Sequence, residues 1–229
     1  LQKNKKPRLR AGFLFAILQP MEWKPEKIPL PVKSAEQYSE FSQDVQTQLE
    51  NLRLTPEMVT GKILDIGASD AQFAKDFSKK EGVEIVSIDS NVPESEKGLV
   101  IEADARKLPF GDGSFDMVIS HASMPHIFIG MYSHEHPEHS KGEITAAIQS
   151  SLDEMVRVLK PGKKAYMAPI LFAEDYEPQR IVAEAILGAI GALKERGVAA
   201  DLSHIREYVN PVNHEKTNEY RLILEKPII

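Results

Sequence analysis

The stretch Gly61-Lys62-Ile63-Leu64-Asp65-Ile66-Gly67-Ala68-Ser69-Asp70-Ala71 constrains the fold more than any other part of the chain. A short apolar run, Ile63 to Ile66, stops at Gly67, and a helical pattern then begins with Phe73 and Phe77 four positions apart. The spacing predicts a helix over about 71–80 with Asp70 as its N-cap, because a carboxylate there can accept a backbone N–H of the first turn. Strand, small-residue turn and helix together make the ligand-binding corner of a doubly wound α/β sheet, open at the carboxyl end of the strand. An ordinary βα turn has the same outline, so the corner alone does not name a ligand. The dinucleotide fingerprint fails, because its three small positions fall on Gly67, Ser69 and Gln72, and Gln is too large for close helix–strand packing. The phosphate-loop pattern fails for want of Gly-Lys-Ser/Thr. What remains is an acid followed by alternating small residues: Asp65, Gly67, Ser69, Ala71.

The chain has 229 residues, enough for one decorated α/β domain or two small ones. A net charge of −6 leaves no basic footprint, so long nucleic acid is not an expected partner. Cys is absent, which removes disulfides, thiolate ligands and Cys nucleophiles together. No apolar run approaches the ~18 residues of a membrane span.

Before the corner, residues 1–10 carry Lys3, Lys5, Lys6, Arg8 and Arg10 with no acid, and an apolar run from Ala11 to Leu18 follows. Three readings are open: a secretory signal lacking a small-x-small cleavage site, a weak membrane-surface contact by residues 1–18, or an element packed on the domain. The first residue is Leu, so the natural start is expected upstream. Pro20, Pro25, Pro29 and Pro31 make an extended arm. Ser34-Ala35-Glu36-Gln37 has the form of a capping box, and Tyr38, Phe41, Val45 and Leu49 predict an amphipathic helix over 35–52. Residues 1–60 are therefore taken as an arm, helix and lid, and residues 61–229 as the ligand-binding domain.

After the corner, Val83 to Asp89 is a β-branched strand ending in an acid. A carboxylate at that tip can accept both hydroxyls of a ribose. Leu99 to Asp104 predicts a third buried strand and Phe115 to Ser120 a fourth, while Glu143 to Leu159 is an amphipathic helix stopped at Lys160-Pro161-Gly162. Lys164 to Ile170 is a fifth strand, Glu177-Pro178 opens a further helix, and Ser203–Val209 with Glu219–Lys226 form a hairpin. Repeated βα units predict an α/β fold, doubly wound, with a mostly parallel seven-stranded sheet and a C-terminal antiparallel hairpin.

Several of these strings resemble class I S-adenosylmethionine-dependent methyltransferases over residues 61–226. They are the Asp65–Ala71 turn, Ala103-Asp104-Ala105 through Leu108-Pro109-Phe110, Ser114-Phe115-Asp116-Met117-Val118, and Glu154-Met155-Val156-Arg157-Val158-Leu159-Lys160-Pro161-Gly162. Ser69 and Ala71 stand where that family usually has glycine. The resemblance implies S-adenosyl-L-methionine as cofactor, with contacts from Asp65, Gly67, Ala68, Ser69, Asp89, Ser90, Asp104, Ala105 and His121. Asp89 would take the ribose, Asp104 the adenine amino group, and the backbone after it a ring nitrogen.

A neutral acceptor oxygen or nitrogen loses a proton on methylation, and His titrates near neutrality. His121 directly follows the fourth strand, and His126, after a turn fixed by Pro125, lies in the loop that lines the acceptor pocket in the family, so both are candidate bases; the alternative is that they only shape the pocket. His134, His136 and His139, with Glu135 and Glu138, are expected to form a solvated loop rather than a metal site, since Pro137 breaks the helix a His-Glu-x-x-His motif needs. No Asn/Asp-Pro-Pro-Tyr/Phe follows the fourth strand, which argues against amino-methylating DNA or glutamine enzymes. The expected function is methyl transfer to an O or N atom of a small organic acceptor in a cytoplasmic protein. A protein or RNA methyltransferase and a non-catalytic scaffold of the same fold are the alternatives. The sequence leaves the oligomeric state open.

Overall fold

A computed structural model describes residues 41–131, 140–173, 176–209 and 216–228. The predicted basic head, proline arm, first capping box and histidine-rich loop lie outside the described residues. Among the described residues the strands are β1 (Gly61–Ile66), β2 (Val83–Asp89), β3 (Val100–Glu102), β4 (Phe115–His121), β5 (Leu159–Phe172), β6 (Ala199–Val209) and β7 (Lys216–Glu225). The α-helices are α1 (Gln43–Leu52), α2 (Gln72–Phe77), α3 (Met124–Met131), α4 (Lys141–Val158) and α5 (Glu177–Glu195). The seven strands form one sheet in the order β3-β2-β1-β4-β5-β7-β6. β1 to β5 pair in parallel, and β7 runs antiparallel to both β5 and β6. This is the doubly wound architecture with a C-terminal antiparallel hairpin that the sequence predicts.

The two-residue period of the strands sorts the core into two faces. Leu64 and Ile66 of β1, Val118 of β4, Ala165 and Met167 of β5, and Leu222 and Leu224 of β7 pack against α4 and α5. Ile63, Met117, Ile119, Tyr166 and Ala168 point the other way, against α1 and α2. Asp65 and His121 continue the rows of Ile63 and Ile119, so both belong to the α1 face.

Helix α1 lies within the segment that precedes residue 61, yet it shares the core of the sheet. Val45, Leu49 and Leu52 are buried with Ile63, Phe73 and Phe77, and Phe41 stacks on Phe77 with ring centroids 4.8 Å apart. The Ser42 side chain accepts from the Val45 N–H at 3.4 Å, and the Ser42 N–H donates to Asp76 on α2 at 2.6 Å. Leu49→Ala should therefore lower unfolding free energy by about 2–5 kcal/mol in urea titrations, as for a fully packed leucine. A change under 0.5 kcal/mol would show α1 to be a detachable appendage.

Three expectations need correction. β3 pairs only with β2 and forms the edge of the sheet, so Val100 is buried but Leu99 and Ile101 are 56% and 45% exposed; an apolar run need not be buried when nothing covers its outer side. Helix α4 starts at Lys141, earlier than the apolar period suggests, because Ser140 and Glu143 form a reciprocal capping box. The Pro161-Gly162 pair does not separate α4 from β5. β5 begins at Leu159, and the pairing jumps from Phe115↔Leu159 to Met117↔Lys164. Lys160 and Lys163 thus come opposite Asp116, with Nζ atoms 2.8 and 3.7 Å from its carboxylate. No described helix is long and apolar enough to cross a membrane.

Candidate active site at the carboxyl edge of the sheet

The turn after β1 alternates into the left-handed region: φ is +77° at Gly67, 49° at Ser69 and 55° at Ala71. Such backbone excludes large or branched residues, which is the physical content of the acid-then-small spacing. The N–H groups of Gly67 and Ala68 both donate to the Ile88 carbonyl, at 2.8 and 3.0 Å, tying the turn to the end of β2. Asp70 is not the N-cap. Ala71 occupies that position without a side-chain cap, because the left-handed step at Ala71 delays the helix by one residue; the Asp70 carboxylate instead accepts from the Gln72 N–H at 3.2 Å.

Asp89 ends β2 beneath this turn. Its Oδ2 accepts from the Ser69 N–H and its Oδ1 from the Asn91 N–H, both at 3.0 Å. Each oxygen keeps lone-pair capacity for a diol. Asp104 is gripped by Arg106: Oδ1 accepts from its backbone N–H at 2.8 Å, and Oδ2 from Nε at 2.9 Å and Nη2 at 2.6 Å. These bonds hold the Asp104 carboxyl below its usual range. Both side chains are exposed, so the pair is worth about 1 kcal/mol or less and opens readily to an incoming amino group. The loop after Asp104 is clamped from α4. Glu154 accepts from the Leu108 N–H at 2.7 Å, and Arg157 donates to the Phe110 and Leu108 carbonyls at 2.8 and 3.2 Å. The Glu154–Arg157 phrase thereby fixes a loop some 45 residues upstream of it.

A cavity of about 470 Å³ opens between these elements. Of the residues proposed from sequence, Gly67, Asp89, Ser90, Asp104 and Ala105 line it, while Asp65, Ala68, Ser69, His121 and His126 do not. Ser69 acts one step back, through Asp89. Sequence reasoning missed Ile66, Ile88, Ser123, Met124, Ile127, Phe128 and Ser151, which supply much of the wall, and Glu102, Ala103 and Arg106 at the β3 side. Alternation along β1 and β2 could have found Ile66 and Ile88; nothing in the sequence marks Ser151, which arrives from α4. The residues present fit an adenosyl group. An apolar floor lies beside two carboxylates, and the turn backbone is so close that a Cβ on Gly67 would stand 1.7 Å from Ser123 Oγ.

Asp65 is buried beneath the turn, 5% exposed. Burial first, and the nearby Asp89 charge second, push its carboxyl up to about 7. His121 is half-buried at the end of β4. Burial, then the charge of His126, lowers its pKa to about 4, so the ring is neutral at physiological pH. The Asn51 amide Nδ2 lies 3.0 Å from His121 Nε2. His126 does not lie in a loop: Met124–Met131 is helix α3, and Pro125 sits in its first turn, where no backbone N–H is needed. Phe128 is buried in the core and also lines the cavity. His126 is exposed as a residue, but partial burial of its ring lowers its pKa, against an opposing pull from Glu219. His134, His136 and His139 lie outside the described residues; among those described, no three metal-ligating side chains cluster.

Comparison with known proteins agrees with this geometry. Residues 64–167 match the family model described as "Methyltransferase domain". No curated protein matches by sequence. Among solved structures, the chain is similar to a Haemonchus contortus phosphoethanolamine N-methyltransferase 2, in complex with phosphomonomethylethanolamine and S-adenosylhomocysteine, with 14% identity and a TM-score of 0.51 over 81% of this chain and 52% of that one. A Methanosarcina mazei protein described as a SAM-dependent methyltransferase gives 16% identity and a TM-score of 0.49 over 82% and 99% of the two chains. Residues 64–167 are thus matched to a methyltransferase domain, carried on a 3-2-1-4-5-7-6 sheet whose carboxyl edge opens into a carboxylate-flanked cavity.

Proposed function

We propose that this methyltransferase acts on an oxygen or nitrogen atom of a small organic acceptor, with His121 and His126 at the acceptor side of the site. The observation that carries this reading is that Ser123 and Met124 line the cavity, with His121 and His126 on either side of them in the chain. S-Adenosylmethionine supplies an electrophilic methyl group on a sulfonium. The chain's own part is to bind, orient and deprotonate. Asp89 would hold the ribose hydroxyls, Asp104 and the Ala105 backbone the adenine edge, and the apolar floor of Ile66, Ile88 and Met124 would exclude water from one side. His126, exposed and held neutral, is free to accept the proton that leaves the acceptor. The net charge of −6 favours a small acceptor over RNA.

Titration calorimetry with S-adenosylhomocysteine tests the cofactor half. Binding is expected, and Asp89→Ala should weaken it by about 1.5–3 kcal/mol through lost charge-assisted hydrogen bonds. Unchanged affinity in Asp89→Ala would remove the ribose assignment. Radiolabelled methyl transfer to pooled small metabolites, with peptides and RNA in parallel, tests the acceptor half. Label appearing only in peptide or RNA would overturn the small-molecule reading.

A further inference from the structure

Asn51 is the penultimate residue of α1, outside the segment that matches the methyltransferase domain. The end of α1 is closed by the Arg53 N–H on the Glu50 carbonyl and the Leu54 N–H on the Leu49 carbonyl, at 3.1 and 2.8 Å. The Asn51 carbonyl is taken by Arg221 Nη1 of β7, at 3.0 Å. Arg221 is only 7% exposed; its Nη2 donates to Ser203 Oγ at 3.4 Å and its Nε has no partner among the described residues. A buried cation from the hairpin therefore pins the backbone of Asn51. The Asn51 side chain, 5% exposed, then reaches across to His121 on β4.

That contact has a chemical consequence. An amide Nδ2 can only donate, so the nitrogen facing it must be an acceptor. The geometry points to His121 as a neutral ring protonated on Nδ1, with Asn51 as the positioning residue that sets this tautomer. The lone pair of Nε2 is already engaged. The hydrogen-bonding atom left to His121 is then its Nδ1–H, a donor, which suits a carbonyl, carboxylate or phosphate oxygen on an acceptor that reaches it rather than a proton in need of a base. This deepens the acceptor half of the proposed function and rests on it for its catalytic meaning. It divides the two histidines that sequence treats alike: His121 as donor, His126 as base.

Two readouts test the assignment, one of them without turnover. Side-chain ¹⁵N NMR of the intact protein at pH 7 should show His121 with Nδ1 protonated and Nε2 bare, and Asn51→Leu should release it to mixed tautomers. An Nε2-protonated ring in the unaltered protein, as would follow from a turned Asn51 amide, overturns the proposal. Asn51→Asp then separates donor from base. The new carboxylate would draw a proton onto Nε2 and leave Nδ1 as a lone pair, so methyl transfer should fall by 10-fold or more while S-adenosylhomocysteine affinity holds. If His121 is instead the base, the carboxylate–imidazole pair would strengthen it and turnover would rise, which sinks the donor role. A protein that shows the expected tautomer yet neither binds S-adenosylhomocysteine nor transfers methyl would fail the proposed function and leave the Asn51 assignment standing. Should Asn51→Asp not fold, the NMR of the unaltered protein decides alone.

Discussion

Asp65→Asn should make the ligand-free protein more stable at pH 8, by up to about 4 kcal/mol, and leave its stability at pH 4 nearly unchanged. The cause is the position of Asp65 beneath the turn, where burial and the Asp89 charge raise its carboxyl from 3.8 to about 7. Between those values the folded protein holds a proton that the unfolded chain has released. Stability then falls as pH rises, by up to about 1.4 kcal/mol per pH unit. The favourable contribution is whole below about 3.8 and is lost as pH passes through about 7. Asn keeps the shape without the titration, so the difference between the two proteins should grow across that window and level off above it. Urea denaturation at pH 4.5, 6, 7 and 8 reads the difference directly, and parallel profiles would show that Asp65 ionises freely. A carboxylate kept at such a cost is unusual in a core and common beside a ligand site; Asp65 lies behind the cavity wall, next to Ile66 and Gly67, which line it.

Gly67→Ala is the second large effect. The new Cβ would lie 1.7 Å from Ser123 Oγ and 2.2 Å from Ser123 Cβ, on a backbone with φ of +77°. Left-handed strain and overpacking each cost about 1–3 kcal/mol, so a loss of about 2–6 kcal/mol is expected, together with weakened cofactor binding because Ser123 lines the cavity. The two costs can be separated. Adding Ser123→Gly removes the clash but not the strain, and should recover about half of the stability. A single variant within 0.5 kcal/mol of the parent would mean that the turn relaxes freely and is not the tight cradle described here.

How much of this could be read beforehand depends on the range of the interaction. Ile63 to Ile66 ending in Gly67, Val83 to Asp89, and Phe115 to Ser120 carry their own period and stop signals, so strand positions came out close to those observed. Asp89 was legible because a strand-end carboxylate has a position as well as a charge, whereas Asp104, two residues past the end of β3, was marked by the resemblance of its loop. Local reading failed where a neighbour changed the meaning of a pattern. The Leu99–Ile101 run looked like core, but edge position leaves Leu99 and Ile101 in solvent. Pro161-Gly162 looked like a break, but Asp116 across the sheet turns it into a bulge within the pairing. His126 looked like a loop residue, but Pro125 starts a helix as readily as it ends one.

By itself the sequence determined the doubly wound sheet, the hairpin at its end, the small-residue corner after β1 and the acid at the tip of β2. All of these rest on periods of two or 3.6 residues, on turn geometry, or on motifs contained within one βα unit; the adenosyl reading of that corner came from the family resemblance. Only the tertiary structure decided that α1 belongs to the core, that Ser123, Phe128 and Ser151 wall the cavity, that Asp65 is deprived of water, and that His121 meets Asn51. Burial and hydrogen-bond partnership are properties of pairs. Asn51 and His121 stand 70 positions apart, and Asn51 and Arg221 170, and no local pattern encodes which of many distant partners a folded sheet will bring within 3 Å.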